Sequence, residues 1–253
     1  MMQVDLNADL GESYGQFVVG DDEKLMQVVT SANVACGFHA GDYMTIPKSI
    51  QLAKEAGVAI GAHPGYPDLQ GFGRRLVSMS DEEIYQMVVY QIGVLQTFCH
   101  VEGVQLNHVK PHGALYNLAA KDRKVADAIV KAIVNVDERL VLYGLANGEL
   151  IRAGRDVGLQ VASEVFADRT YTSEGHLTPR SERDAILKDR NAIRNQVFEM
   201  VLEGKVTTSN GNQIDIEADT VCFHGDGESA YEHVKHIRES LEYKGIQVIA
   251  LSR

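Results

Sequence analysis

The sequence predicts an α/β fold built as one closed (β/α) barrel. Short apolar strand runs alternate with helical segments along the whole chain, which argues for a parallel sheet. The ionisable groups gather in the loops that follow the strands, the face where such barrels do their chemistry. Those polar strand ends are spread over the full length, whereas an open doubly wound sheet would gather its ligand at one switch point. No Gly-x-Gly-x-x-Gly or Walker pattern follows a strand, so no standard nucleotide site is visible.

The chain has 253 residues, 45% hydrophobic and 23% charged, enough for one large domain with a full core. Its net charge of -11 is not offset by any basic stretch, which speaks against nucleic acid as a partner. No run approaches a membrane span. The N-terminus lacks a basic segment followed by a long apolar one, so no signal peptide is expected. Cys36, Cys99 and Cys222 show no metal spacing. Cys36 and Cys222 sit in apolar runs and read as small buried hydrophobes, which fits a reducing, cytoplasmic setting.

The first strand is Gln3 to Ala8. Asp5, Asn7 and Asp9 alternate with Val4, Leu6 and Ala8, which places Asn7 and Asp9 inside the barrel mouth with Glu12 on the loop above. The second strand, Ala32 to Gly37, leads into His39 and Asp42. Thr45 caps the next helix, with Ile46, Ile50 and Ala53 inward and Gly57 at its end. The third strand, Val58 to Ala62, enters a long loop carrying His63, Asp68, Arg74 and Arg75, and loops of that length are usually functional. Ser80-Asp-Glu-Glu83 is a capping box opening a long helix that Gly103 closes.

Leu106 to Val109 is the fourth strand, stopped by Pro111. His108, Lys110 and His112 are spaced to point one way in extended chain, a poor arrangement for a core and a good one for binding an anion or moving protons. Asp122 caps a helix bearing Val125, Ile129 and Ile133. The fifth strand is Leu140 to Leu145, followed by a short helix ending at Gly158. The sixth, Gln160 to Val165, delivers Glu164, Asp168 and Arg169. Ser181 to Glu203 reads as a long charged helix, and 205–216 as an inserted β-hairpin with a two-residue Asn210-Gly211 turn. Thr220 to Phe223 is the seventh strand and ends in His224 and Asp226. An amphipathic helix and a final strand, Gln247 to Leu251, follow.

Any one of these histidines alone is more often structural than catalytic. Their agreement across strand ends suits hydrolysis: a carboxylate or imidazole activates water, another group protonates a leaving nitrogen, and Lys110 or Arg169 stabilises an oxyanion. No nucleophile elbow appears. Asp9, His39 and His63 are a candidate two-His, one-carboxylate metal site for a divalent ion.

The blocks Asp5-Leu-Asn-Ala-Asp-Leu-Gly-Glu12, Ser31 to Asp42, Gly61 to Asp68, His108 to Asn117, Glu164 to Arg169 and His224-Gly-Asp226 resemble the signature blocks of the LamB/YcsF family. The resemblance implies a single-domain, seven-stranded barrel similar to glycoside hydrolases and polysaccharide deacetylases. It also implies ATP-dependent opening of the lactam 5-oxo-L-proline to L-glutamate, shared with the B and C subunits of a 5-oxoprolinase, with ATP handled by those partners. The segments Glu174 to Pro179 and Gly227-Glu228, on the substrate side, depart from the family pattern.

The expected catalytic residues are Asp9, Glu12, Lys110, His112, Glu164 and Asp226. The expected substrate-binding residues are Asn7, Asp42, Arg74, His108, Asp168, Arg169 and His224. Two other readings stand beside the first: a metal-dependent deacetylase or amidohydrolase that needs no ATP, and a non-catalytic component of the complex. Self-association is left open.

Overall fold

The computed structural model describes residues 2–223 and 230–252. Seven parallel strands close into a barrel: β1 (Gln3–Leu10), β2 (Ser31–Ala35), β3 (Ala59–His63), β4 (Leu106–Val109), β5 (Val141–Leu145), β6 (Val161–Phe166) and β9 (Thr220–Phe223). Between the last two, β7 (Lys205–Thr207) and β8 (Gln213–Asp215) form a separate antiparallel hairpin. Closure comes from β1 pairing with β9, Asp5 opposite Thr220 through Ala8 opposite Phe223, while the later residues of β1 pair with β2. The short β10 (Gln247–Val248) adds to the start of β1, opposite Gln3 and Val4.

Around the barrel lie α1 (Asp22–Leu25), α2 (Thr45–Ala56), α3 (Asp81–Val101), α4 (Gly113–Ala119), α5 (Arg123–Asp137), α6 (Glu149–Asp156), α7 (Arg190–Phe198) and α8 (Ala230–Tyr243). Leu6, Ala8, Val34, Ile60, Ala62, Val109, Leu142, Val165 and Val221 belong to the apolar layer that these helices cover. The capping box at Ser80 forms as expected, the serine side chain accepting from Glu83 N and Glu83 reaching back to Ser80 N. From the inner face of α3, the Gln91 amide takes both main-chain groups of Gly65, at 2.9 and 3.0 Å, and so fixes the loop after β3.

Three local expectations are corrected, and one helix appears that the sequence does not signal. The segment after Ser181 is not helical until Arg190. Residues 185–187 instead lie back on the loop after β6, with Thr170 N bonded to Ala185 O and Leu187 N to Asp168 O. The helix starts where Asp189 accepts from Ala192 N, and only from there do Ile193 and Val197 supply an apolar stripe. The β7–β8 hairpin turns through Ser209-Asn210-Gly211 rather than two residues, since Thr208 N bonds Asn212 O; Gly211 takes the left-handed position with φ +85°. Asp42, not Thr45, caps α2, accepting from Met44 N and Thr45 N at 2.8 Å each. The stretch after Pro111 carries no helical signal in the sequence, yet Gly113–Ala119 is a helix that turns Tyr116 toward the barrel. Among the described residues, no helix is long and apolar enough to cross a membrane.

Candidate active site

A parallel strand covered on both faces is normally apolar throughout. Here the inner face is polar and satisfied by its own hydrogen bonds, in layers. At the bottom, the Asp5 carboxylate accepts from Thr30, Ser31 and Thr220 hydroxyls at 2.5–2.7 Å. Burial pushes its pKa up, and the hydroxyls partly offset this. In the next layer Asn7 donates to Glu164 Oε1 (2.9 Å) and Thr220 Oγ1 (2.7 Å), and its oxygen accepts from Asn33 Nδ2 (2.7 Å). Asn33 Oδ1 lies 2.8 Å from His108 Nε2, and Asn107 Oδ1 lies 3.1 Å from the other ring nitrogen, Nδ1. His108 stacks on Tyr143 and faces Gly61, where an added Cβ would lie 2.1 Å from its Nε2. Burial, then Lys110, brings the His108 pKa down to about 3, so it is a neutral filler of the barrel.

Above this layer sits Lys110, 2% exposed. Its ammonium lies 2.9 Å from Asp9 Oδ1 and 2.9 Å from Glu164 Oε1, and it also donates to Cys222 Sγ at 2.9 Å. Burial works against its charge, but Asp9, Cys222 and Glu164 outweigh it and hold Lys110 protonated. Glu164 Oε2 accepts from Tyr116 OH at 2.6 Å. Asp9 Oδ2 lies 3.4 Å from His63 Nε2. Burial alone would raise the Asp9 pKa, yet His63 and Lys110 outweigh it and keep the carboxylate well below its usual range. Asp9 is therefore an ionised group at the floor of the mouth.

Beside it stands a buried tetrad, Glu12, His39, His63 and His112, whose candidate ligand atoms all lie within 4.8 Å of one another; such a cluster can hold a metal ion. His63 Nε2 and His112 Nδ1 are 3.0 Å apart, and Glu12 Oε1 is 3.5 Å from His112 Nδ1 and 3.3 Å from His39 Nε2. Burial, followed by neighbouring imidazoles, holds His39 and His112 well below the ordinary histidine pKa. Burial raises that of Glu12.

A cavity of about 450 Å³ opens over this floor, lined by Asp9, His63, Arg74, Lys110, His112, Tyr116, Phe166, Arg169 and residues 176–180 among others. That volume suits a small organic substrate.

The strand-end prediction brings Asp9, Glu12, His63, Lys110, His112 and Glu164 together at one mouth. The metal-capable cluster contains the expected His39 and His63 together with Glu12 and His112 but not Asp9, whose Oδ1 is held by Lys110 and Asn33 while its Oδ2 faces His63. Several expected substrate contacts have other employment. Asp42 clamps the 14–18 loop through Gly15 N as well as capping α2. Asn7 and His108 are wholly enclosed in the barrel. The Arg169 guanidinium donates to Thr178 O and Ala185 O, holding the 169–185 loop, and Asp168 anchors Leu187 N through its carbonyl. Arg74 lines the cavity and lies over the Phe72 ring. His224 and Asp226 lie outside the described residues. Sequence reasoning passes over Asn33 and Tyr116. It also takes Cys222 for a plain hydrophobe, whereas its thiol accepts from Lys110.

The sequence matches the LamB/YcsF family over residues 4–253. A Bacillus subtilis (strain 168) protein, named as the A subunit of 5-oxoprolinase, is 54% identical over 252 residues, covering 100% of this chain and 98% of its own length. One of the same name from Staphylococcus carnosus (strain TM300) is 53% identical, covering 99% of each. The crystal structure of a lactam utilization protein from Thermus thermophilus superposes with a TM-score of 0.93 at 46% identity, over 99% of this chain and 100% of that one. A family 4 carbohydrate esterase from Streptomyces lividans shares the fold at TM-score 0.51 and 11% identity, over 99% and 93% of the two chains.

Proposed function

The chain belongs to the LamB/YcsF family, and on that premise we propose that it is the lactam-opening component of an ATP-dependent 5-oxoprolinase. Its substrate is 5-oxo-L-proline, its product L-glutamate, and its partners are the B and C subunits, which use the ATP. The relatives' names support the substrate class and the role within a larger complex. The observation that carries the chemistry is the position of the Asp9 carboxylate at the cavity floor, 3.4 Å from His63 Nε2 and paired with Lys110 at 2.9 Å.

Water adds its oxygen to the lactam carbonyl carbon, the ring C–N bond breaks, and the nitrogen leaves with a proton. Asp9 accepts the proton of the attacking water and returns it to the departing nitrogen, so the site ends with the protons it began with. Lys110, held between two carboxylates, fixes Asp9 and Glu164 rather than offering a free cation to an oxyanion. Activation of the carbonyl therefore falls to ATP on the partners, since an ordinary amide is a poor electrophile. Glutamate release from 5-oxoproline, with and without ATP and with and without the two partners, tests this; release that needs neither ATP nor partners refutes it. The Glu12–histidine tetrad favours one second reading, an amidohydrolase independent of ATP, and the same assay separates the two.

A further inference from the structure

The hydrogen bonds around the tetrad fix the tautomers of its two central rings. His63 Nδ1 lies 2.7 Å from the main-chain oxygen of Lys110, and His112 Nε2 lies 2.8 Å from that of Phe72. A carbonyl oxygen only accepts, so both outer nitrogens carry hydrogen. In the neutral rings the inner nitrogens, His63 Nε2 and His112 Nδ1, are then bare, and they face each other at 3.0 Å. Glu12 Oε1 approaches at 3.5 Å and Asp9 Oδ2 at 3.4 Å. Two lone pairs and two carboxylate oxygens converge on one small volume. The nearest ammonium, Lys110, is spent on Asp9 Oδ1 and Glu164. Electron-rich atoms packed this way repel one another unless a cation lies between them.

The backbone is arranged to keep them there. Phe72 adopts φ +53°, a conformation costly for a non-glycine residue, and its carbonyl oxygen faces His112 Nε2. A Cβ at Gly73 would lie 2.7 Å from His39 Cβ and 2.8 Å from His112 Cδ2, and one at Gly65 would lie 2.6 Å from His39 Nδ1. Only glycine leaves room for the rings. Tying each ligand's outer N–H to a carbonyl is the arrangement that orients histidine toward a metal.

The geometry points to a first-row divalent ion of the zinc class held by His63 Nε2, His112 Nδ1 and Glu12, with a further position open toward the cavity. Ligands about 2.0–2.1 Å from a tetrahedral ion stand about 3.4 Å apart, and the observed 3.0 and 3.5 Å bracket that spacing. His39 is not a fourth ligand alongside His112. Their rings are stacked with an interplanar angle of 1° and centroids 3.7 Å apart, so no single ion lies in both ring planes. His39 instead holds Glu12 through Nε2, and its buried Nδ1 has no partner among the described residues. Two imidazoles and a carboxylate select a borderline ion over calcium or magnesium. When bound, such an ion polarises an amide carbonyl as a Lewis acid. The proposal rests on the lactamase reading only for the reaction the ion serves, because its test needs no substrate.

The test is direct metal analysis of the full-length chain purified without chelator, followed by chelation and titration of the apoprotein with Co²⁺ while the visible absorption is recorded. About one equivalent of a divalent ion is expected, with a cobalt spectrum free of thiolate charge transfer. Glu12→Gln, His63→Gln and His112→Gln should each weaken cobalt binding by well over about 100-fold, whereas His39→Gln should weaken it by about 10–100-fold, the range for a residue that orients a ligand. Circular dichroism checks each fold. Wild-type protein that takes up no cobalt overturns the proposal, since a shared proton then fills the gap. A His39 variant as deficient as the His63 variant overturns the assigned ligand set.

Discussion

Lys110 and Glu164 form an ion pair with Nζ 2.9 Å from Oε1, and neither side chain is more than 2% exposed. Such a pair is costly to break from one side, because the surviving charge stays buried. The sequence alone suggests that Lys110→Met would cut turnover while leaving the fold intact. The structure revises this. Lys110→Met leaves Asp9 and Glu164 facing each other without a cation, and we expect a loss of about 3–5 kcal/mol in urea unfolding. Adding Glu164→Gln should recover part of that loss. If the single variant unfolds at the wild-type midpoint, the pair does not hold the barrel.

Asp9→Asn keeps the size and a hydrogen-bonding oxygen while removing the charge. Lys110 retains Glu164 as its counter-ion. We expect turnover in the reconstituted complex to fall by about two to four powers of ten, the range for losing an acid–base group. The urea midpoint should move far less than in Lys110→Met. Near-normal turnover would place the base elsewhere.

Gly61→Ala puts a methyl 2.1 Å from His108 Nε2. Overpacking of this kind costs about 1–3 kcal/mol. The strain should be relieved when His108 is shortened to Ala in the same chain, so a thermal-melt double-mutant cycle should show strong coupling. Additive effects would mean that the two residues do not share the space.

Stability should decline in acid. His39, His108 and His112 all have folded-state pKa values below the unfolded value near 6.5, with His108 brought to about 3. Between those limits the unfolded chain binds more protons, so stability rises with pH and is lost as pH falls from about 6.5 toward 3. Each such histidine contributes a slope of up to about 1.4 kcal/mol per pH unit. Burial raises the pKa values of Asp5 and Glu12, which opposes the trend over the lower part of the window, since their neutral forms favour the folded state. Urea midpoints measured from about pH 7 to about pH 4 should fall, and His108→Gln should flatten the curve. A flat wild-type curve would contradict the assigned neutral histidines.

Alone, the chain should neither hydrolyse ATP at a useful rate nor open 5-oxoproline. No phosphate-cradling motif is present in the sequence. Robust ATP turnover by the purified chain would refute the division of labour proposed for the complex.

The barrel frame is legible because strand and loop alternate in composition. The period-two pattern Asp5, Asn7, Asp9 truly marks an inner face, and the spacing of His108, Lys110 and His112 truly converges. What the sequence hides is partnership. Nothing in the line of residues says that Lys110 is neutralised by Glu164, a residue distant in the chain, or that Glu12 rather than Asp9 faces His39. Other features had a local signal. Asp42 and Asp68 each sit three residues before an amide they accept from, Thr45 N and Gly71 N, a spacing typical of aspartates that serve their own turn. Tyr116 escapes notice because its helix is too short to show a period. Residues 181–189 mislead because their charge density suggests a helix that no apolar stripe supports.

The closing pair of β1 with β9 has a consequence for how this chain must fold and be handled. Its two edges are joined by residues more than two hundred positions apart, and contacts of such separation form late and slowly. Until they form, Asp5 and Asn7 lack Thr220, and both outer strands of the half-built sheet present unpaired main-chain groups that invite a second molecule. A chain cut before Thr220 would be trapped in that state, so expression of shortened versions should yield aggregate rather than a smaller working barrel.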